Sequence, residues 1–181
     1  MSTIRDLMDR LSFRNFRSPL ALICFLLTAV AGFGIDQWSK RAAVSALAER
    51  GTIQCIPGWI EFQYTSNHGA VFGIGQGQRT LFVSVSVAAI LFIFYLFVTS
   101  GRQRGYQIIL GMLMAGVMGN LYDRVNYGYV RDMIHALPRW PNLFPWIFNV
   151  ADTLLCVGVG LMIVYSFFHD PAKAGSDPQP A

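Results

Sequence analysis

Four long apolar stretches run along the chain, and charged residues bound each of them. They predict four transmembrane helices, over residues 19–36, 80–100, 105–123 and 146–168. Each is close to the roughly 20 residues that a helix needs to cross the hydrocarbon core of a bilayer. The third stretch is rich in glycine, and such small residues allow neighbouring helices to approach closely.

The segments between these stretches, residues 37–79 and 124–145, are predicted to be loops. In the first loop, residues 59–64 follow a Pro-Gly turn and alternate between apolar and polar, which is typical of a β-strand. We expect a small sheet there, lying on the membrane surface. The chain is interpreted as one integral membrane domain over 1–170, followed by a disordered cytoplasmic tail over 171–181.

The overall composition excludes the main classes of non-membrane protein. Hydrophobic residues make up 54% of the chain and charged residues 13%, whereas soluble domains average about 25% charged residues. Disordered chains are excluded too, because they combine low hydrophobicity with high charge. The net charge of +4 is mild and comes without a run of Lys or Arg. We therefore predict no nucleic-acid partner and interpret the basic excess as membrane topology.

The distribution of basic residues predicts the orientation of the helices. Arginines are dense before the first helix and in the short link after the second, at Arg5, Arg10, Arg14, Arg17, Arg102 and Arg104. Because cytoplasmic segments carry such an excess, both termini are predicted to be cytoplasmic. The first stretch is longer than a signal-peptide core and no A-x-A site follows it, which favours a retained helix. The predicted fold is an all-α membrane protein, a four-helix transmembrane bundle with a small extracytoplasmic β-rich loop region.

Polar residues cluster at the predicted outer ends of the third and fourth helices. Asn120 and Arg124 share a face of the third, and Asn149 and Asp152 lie near the start of the fourth. Ionisable residues at such positions are costly and usually face a bundle interior or a functional site. Asp132 lies in the loop that leads into the fourth helix. Its carboxylate and that of Asp152 are therefore expected at one membrane depth, where they could meet.

Two carboxylates that share a site repel each other, so the pKa of one rises and the pair can hold a single proton. Such a pair suits peptide hydrolysis without a covalent intermediate, since one group takes a proton from water and the other donates one to the scissile carbonyl. No Ser/His or Cys/His nucleophile set competes. Cys24, Cys55 and Cys156 show neither disulfide nor zinc-site spacing, and we predict no metal.

Structural interpretations stay open for several of these residues. Asp152 could be a hydrogen-bonded structural carboxylate or a proton-relay group, and Asp132 an interfacial loop residue. Asn67, in the sequence Asn-His-Gly, could be a turn residue.

Two charged pairs are most simply interpreted as ordinary helix-end features. Asp123 with Arg124 is interpreted as a solvated ion pair at the end of the third helix. Asp36 with Lys40, at i,i+4, is interpreted as an interfacial pair at the end of the first.

Five short motifs follow one another along the chain. They are Asp36–Lys40 (DQWSK), Asn67–Gly73 (NHGAVFG), Gly116–Arg124 (GVMGNLYDR), Gly128–Met133 (GYVRDM) and Phe148–Asp152 (FNVAD). In this order, on a four-helix chain, they resemble the motifs of the bacterial lipoprotein signal peptidase family, also called signal peptidase II. Val71, Val117 and Met133 depart from the family pattern at packing positions, and the segment 138–145 is a Pro-rich insert.

The resemblance implies roles for individual residues. Asp132 and Asp152 fall on the catalytic aspartates, and Asp123 falls on a structural position. Asp36 falls on a position that supports the substrate site. The residues implied to line that site are Asn67, Asn120, Arg124 and Asn149.

The resemblance also implies an activity and a setting. The activity is that of an intramembrane aspartic endopeptidase, which removes the signal peptide from prolipoproteins by cutting before a diacylglyceryl-modified cysteine. It needs no cofactor, and globomycin inhibits it. The implied setting is the bacterial cytoplasmic (inner) membrane, where membrane lipid surrounds a multi-pass monomer with its active site on the outer face.

Two non-enzymatic functions compete with this one. The aspartates could relay protons, but the second and third stretches carry no acidic residue in their apolar interiors to complete a path. The chain could instead bind lipoproteins as a scaffold without cutting them. The intact pair of Asp132 and Asp152 argues against that alternative, since a scaffold would be free to lose one.

Overall fold

The computed structural model of the chain describes residues 19–69, 75–100, 103–140, 142–143 and 146–168. Several predicted features lie outside the described residues. These are the arginines before residue 19, Arg102, part of the second motif and of the Pro-rich insert, and the tail predicted over 171–181.

Along the chain, one pair of strands separates the first two helices, and a second pair separates the last two. The elements are α1 (Pro19–Arg50), β1 (Thr52–Ile56), β2 (Ile60–Asn67), α2 (Arg79–Thr99), α3 (Arg104–Tyr127), β3 (Val130–Ala136), β4 (Ile147–Phe148) and α4 (Val150–Phe168). Within the described residues, four helices are long and apolar enough to cross a membrane, and they are α1 to α4. The predicted four-helix arrangement is confirmed.

Helix α1 is much longer than the predicted 19–36, and the expected loop begins only after Arg50. The segment 37–50 contains neither Gly nor Pro and is rich in alanine, which has the highest helix propensity. The helix ends where Gly51 adopts a φ of 67° and donates its N–H to the carbonyl of Leu47 at 2.9 Å. The charges of this segment had suggested a loop, but the structure buries two of its polar side chains, Gln37 and Lys40, inside the bundle.

Two other helix ends differ from the predicted bounds for local reasons. Helix α3 continues to Tyr127 and stops at Gly128, whose φ of 84° is left-handed and whose N–H donates to the carbonyl of Arg124. Helix α4 begins at Val150 rather than 146, because residues Ile147–Phe148 form a strand.

Helix α3 is the centre of the bundle and packs against the other three helices. The glycines of α3 allow this: a Cβ added to Gly111 would lie 2.7 Å from the carbonyl oxygen of Phe25, and one added to Gly116 would lie 2.6 Å from that of Ala151. The predicted close approach is confirmed there, although Gly105 meets only the edge of a ring at 3.7 Å.

The two halves of α3 have different neighbours. The apolar core surrounds its first half, where Leu110 is fully buried and the rings of Phe25 and Phe97 stack 4.3 Å apart. Its second half carries the buried polar residues Asn120 and Asp123. The polar site is therefore built at one end of a bundle whose other end is a conventional hydrophobic core.

In the part of the chain that the structure describes, β1 to β4 form one four-stranded antiparallel sheet in the order β1-β2-β3-β4. The sheet therefore pairs strands from the first predicted loop with strands that follow α3. The strand predicted at 59–64 is confirmed as part of β2. Strand β3, which contains Asp132, was not predicted. Thr65 is paired with Asp132 and Asn67 with Val130 across β2 and β3, so the sheet brings the end of β2 beside Asp132.

Candidate active site

Asp132 and Asp152 line the same cavity, which has a volume of about 500 Å³. Asp132 is the third residue of β3 and is 1% exposed, whereas Asp152 lies in the first turn of α4. Three further residues implied by the resemblance line this cavity, namely Asn67, Asn120 and Arg124. The two aspartates, expected at one membrane depth, therefore line one space, and their role there stays a prediction.

The first turn of α4 fixes the position of Asp152. The side-chain oxygen of Asn149 accepts the backbone N–H of Asp152 at 2.9 Å, and Oδ2 of Asp152 accepts the backbone N–H of Asn149 at 3.2 Å. This reciprocal exchange is the geometry of a capping box, formed here by Asn and Asp. Asn149 therefore caps the helix rather than lying inside it as expected from the sequence.

Asn149 also contacts the other carboxylate of the pair. Its Nδ2 donates to Oδ1 of Asp132 at 2.6 Å, and Asn67 Nδ2 donates to Oδ2 of Asp132 at 3.0 Å. Asn120 Nδ2 donates to Oδ1 of Asp152 at 2.7 Å. One asparagine side chain thus joins both aspartates, and two more hold them from either side.

The environment of Asp132 changes its protonation. Burial raises the pKa of this carboxyl most, and the charge of Asp152 raises it further, to about 7. The hydrogen bonds from Asn67 and Asn149 oppose the rise. Because the value lies near neutral pH, both the acid and the carboxylate form of Asp132 are populated there, as a proton-sharing pair requires.

A buried ionic cluster lies directly behind the asparagines. Lys40 Nζ contacts Oδ2 of Asp36 at 2.9 Å and Oδ2 of Asp123 at 3.2 Å, and these three side chains are 0% exposed. Asp36 Oδ1 also accepts the backbone N–H of Ala151 at 2.9 Å, in the first turn of α4. The interpretation of Asp36 and Lys40 as an interfacial helix-end pair is therefore wrong: α1 continues past them, and the bundle buries them.

Asp123 is not paired with Arg124, and that prediction is also wrong. Its carboxylate accepts the backbone N–H and Nε of Arg131 at 3.0 and 3.2 Å on one oxygen, and Nη2 of Arg131 at 2.7 Å on the other. Gln37 joins the same group, since its Oε1 accepts Arg131 Nη2 at 2.8 Å. With Asp36 and Lys40, the cluster contains two acids and two bases, so its formal charges cancel.

Arg124 faces the cavity side instead. Its Nη2 donates to the carbonyl of Gly69 at 3.0 Å, and its guanidinium lies 5.1 Å from the centre of the Phe82 ring. Gly69 in turn donates its N–H to Oδ1 of Asn67 at 2.9 Å. Arg124 therefore holds the end of β2, and with it the asparagine that donates to Asp132.

Sequence reasoning missed Gln37 and Arg131 and underestimated Lys40. Arg131 had a usable signal, because adjacent residues of a strand point to opposite faces and Arg131 precedes Asp132. In β3 this alternation sends Arg131 to the ionic cluster and Asp132 to the cavity. Among the residues that the structure describes, no group of three or more His, Cys, Asp or Glu could hold a metal ion.

Comparison with known proteins identifies the family. Residues 28–168 match the family model for signal peptidase (SPase) II. This chain belongs to the signal peptidase II family. Membership supports a protease that removes signal peptides from prolipoproteins, and with four apolar helices it implies a multi-pass membrane protein.

Relatives and solved structures match most of the chain. It is 34% identical over 146 residues to the lipoprotein signal peptidase of Clostridium tetani, covering 80% of this chain and 93% of that one. It is 34% identical over 154 residues to the lipoprotein signal peptidase of Enterococcus faecalis, covering 84% and 92%. A solved bacterial membrane enzyme superposes with a TM-score of 0.73 at 29% identity, covering 84% of this chain and 93% of that one. The signal peptidase II assignment therefore applies to nearly the whole bundle.

Proposed function

We propose that this chain is an intramembrane aspartic endopeptidase that removes the signal peptide from prolipoproteins by cutting before the diacylglyceryl-modified cysteine. Asp132 and Asp152 are its catalytic residues. The observation that carries this proposal is that both carboxylates line one cavity and are joined through Asn149, whose side chain donates to Asp132 and whose backbone N–H donates to Asp152. Family membership supplies the substrate class.

In the proposed reaction, the two carboxyl groups divide the proton transfers between them. The ionised carboxylate of Asp152 takes a proton from water as the water oxygen bonds to the scissile carbonyl carbon. Asp132, whose pKa is raised to about 7, donates its proton to the carbonyl oxygen. Asp152 then passes its proton to the amide nitrogen. As the C–N bond breaks, a hydroxyl group of the tetrahedral intermediate returns a proton to Asp132, so the products are a carboxylic acid and an amine and the pair is singly protonated again.

The apolar part of the cavity suits a substrate that carries lipid. The carboxylates and their asparagines occupy one side, and side chains from two apolar helices form much of the rest. Those side chains are Phe82, Val85 and Ala89 of α2, and Leu155, Cys156 and Val157 of α4. Acyl chains held there would present the peptide bond near the carboxylates, so that lipid partitioning contributes to positioning.

The remaining site residues act by holding these two groups. Asn67, Asn120 and Asn149 donate hydrogen bonds to the carboxylates. Arg124 fixes the end of β2, and Asp36 accepts a backbone N–H at the start of α4. No metal or cofactor is part of this proposal.

We further propose that the protein acts as a monomer in the bacterial cytoplasmic (inner) membrane. The density of basic residues near the ends of the helices supports cytoplasmic termini, which in turn puts the sheet and the active site on the outer face. Residues 1–170 are proposed to form the single membrane domain.

A cell-free assay with a diacylglyceryl-modified precursor tests the activity. We expect Asp132→Asn and Asp152→Asn each to lower kcat by at least about 10³-fold while membrane insertion is unchanged. Glu61→Gln is the matched control, because Glu61 pairs with His135 on the sheet and is not among the residues that line the cavity. It should keep wild-type kcat, and globomycin should inhibit both active proteins.

Near-normal cleavage by either aspartate variant would refute the assignment of the catalytic pair. Binding of the lipidated precursor by wild-type protein without any cleavage would instead favour the scaffold function. The two failures are distinguishable because the second is seen without any substitution.

A further inference from the structure

Lys40 of α1 is fully buried and makes three contacts. Its Nζ lies 2.9 Å from Oδ2 of Asp36, 3.2 Å from Oδ2 of Asp123 and 3.2 Å from Oδ1 of Asn120. An ammonium group has three N–H donors and no acceptor. Every donor of Lys40 is therefore matched by one oxygen, and the third oxygen belongs to a residue that also contacts Asp152.

Lys40 and Asn149 together decide which way the Asn120 amide faces. Its Oδ1 accepts from Lys40 Nζ and from Asn149 Nδ2, both at 3.2 Å, and its Nδ2 donates to Asp152 Oδ1 at 2.7 Å. If the amide turned over, its NH₂ would face two groups that only donate, and its oxygen would face a carboxylate. The donor is thus directed at Asp152 because the oxygen is held from behind.

Neutralising the buried acids does not require this third contact. Asp123 already has two N–H donors from the Arg131 guanidinium, at 2.7 and 3.2 Å, and Asp36 has the lysine at 2.9 Å. A cation that only neutralised the two carboxylates of Asp36 and Asp123 would not need to contact Asn120. Lys40 instead connects the ionic cluster to the asparagine that touches the proposed catalytic pair.

We propose that Lys40 is a positioning residue of the proposed peptidase, acting by fixing the Asn120 amide so that its N–H is presented to Asp152. This inference rests on the proposed function. Without Lys40, the Asn120 oxygen keeps the 3.2 Å contact from Asn149 Nδ2 but loses its charged donor, so the amide that donates to Asp152 is held less firmly. Substrate binding in the apolar part of the cavity does not involve Lys40, so the loss falls on kcat and not on KM.

The test uses a charge-balanced pair of substitutions, Asp36→Asn with Lys40→Met, in the full chain with a diacylglyceryl-modified precursor. The first substitution retains a side-chain oxygen for the Ala151 N–H, and removing one acid with one base keeps the cluster neutral. We expect kcat to fall about 10²-fold, as for a small misplacement of a reacting group, with KM within about twofold. Arg41→Met removes an exposed cation one residue further along α1 and should leave both constants unchanged.

A double-mutant cycle separates positioning from a general structural role. In the background of Asn120→Ala, the paired substitution should cause less than about a twofold further loss, because the residue through which Lys40 acts is already absent. Retention of kcat by the paired variant, or a full additional loss in the Asn120→Ala background, would overturn the inference.

A second variant decides the matter if the paired variant does not fold. Asn120→Asp keeps oxygens for Lys40 and Asn149, and it replaces the donor to Asp152 by a carboxylate oxygen that adds a negative charge beside the pair. We expect it to fold and to lose kcat by about 10²-fold, and wild-type kcat in this variant would overturn the inference. Failure of the proposed function is seen separately, as absence of cleavage by the unsubstituted protein.

Discussion

Close packing at Gly116 makes a specific prediction about stability. An added Cβ there would lie 2.6 Å from the carbonyl oxygen of Ala151 and 2.6 Å from Cγ of Leu155, both on α4. Real Cβ atoms essentially never come so close, so Gly116→Ala must move α4 away from α3. Gly160 is the matched control on α4, because a Cβ added there meets no described atom within 4 Å.

The size of the effect follows from two opposing contributions. Overpacking of a close contact costs about 1–3 kcal/mol, and replacing a helical glycine by alanine stabilises by roughly 0.5–1 kcal/mol. Gly116→Ala should therefore destabilise by up to about 2.5 kcal/mol, which corresponds to a Tm lower by up to about 10 °C for a chain of this length. Gly160→Ala gains only the higher helix propensity of alanine, so it should raise Tm by about 1–4 °C.

Thermal unfolding of the detergent-solubilised variants measures both values. Because Ala151 directly precedes Asp152 in the chain, cleavage of a lipidated precursor should also be slower in Gly116→Ala and unchanged in Gly160→Ala. Equal and raised Tm values for the two variants would refute the close packing of α3 on α4 at this position.

Two further predictions concern the buried charges. The folded pKa of Asp132, about 7, lies above its ordinary value of 3.8. Between these values the folded state binds more protons than the unfolded state, so Tm should fall as pH rises from about 4 to 7. Asp132→Asn should flatten this fall, and an equally steep profile in the variant would contradict the raised pKa. Asp123→Asn should destabilise by about 3–5 kcal/mol by leaving Arg131 and Lys40 with too little negative charge. Adding Arg131→Gln should recover part of that loss in the same unfolding assay, and a larger loss in the double variant would count against the neutral cluster.

The bundle was predictable from the sequence because the length of a continuous apolar stretch is enough to indicate a membrane helix. Hydropathy indicated four helices, and glycine content indicated close packing of α3, which the structure shows at Gly111 and Gly116. The same rule failed at residues 37–50, because a charged segment looks like a loop when its partners are not known. Only the packed bundle supplies Asp123 and Asn120 as partners that allow Lys40 to be buried.

The sheet and the arrangement of the site were less predictable, because they depend on pairing between distant segments. Strand β3 pairs with β2 across a long stretch of chain, as Asp132 with Thr65 shows, and no local pattern encodes that register. Asp132 and Asp152 were expected to meet from membrane depth alone, and they line one cavity. Their catalytic role stays a prediction until the cleavage assay is done.

The two contacts of Asn149 link local folding to assembly of the proposed catalytic pair. The same side chain that starts α4 also reaches Asp132 on the sheet, so fraying a single turn would dismantle the acid pair. A growing chain can therefore bring Asp132 and Asp152 together only when α4 has packed against β3. Until that moment the two aspartates are separate, and the finished bundle alone has the arrangement on which the proposed cleavage depends.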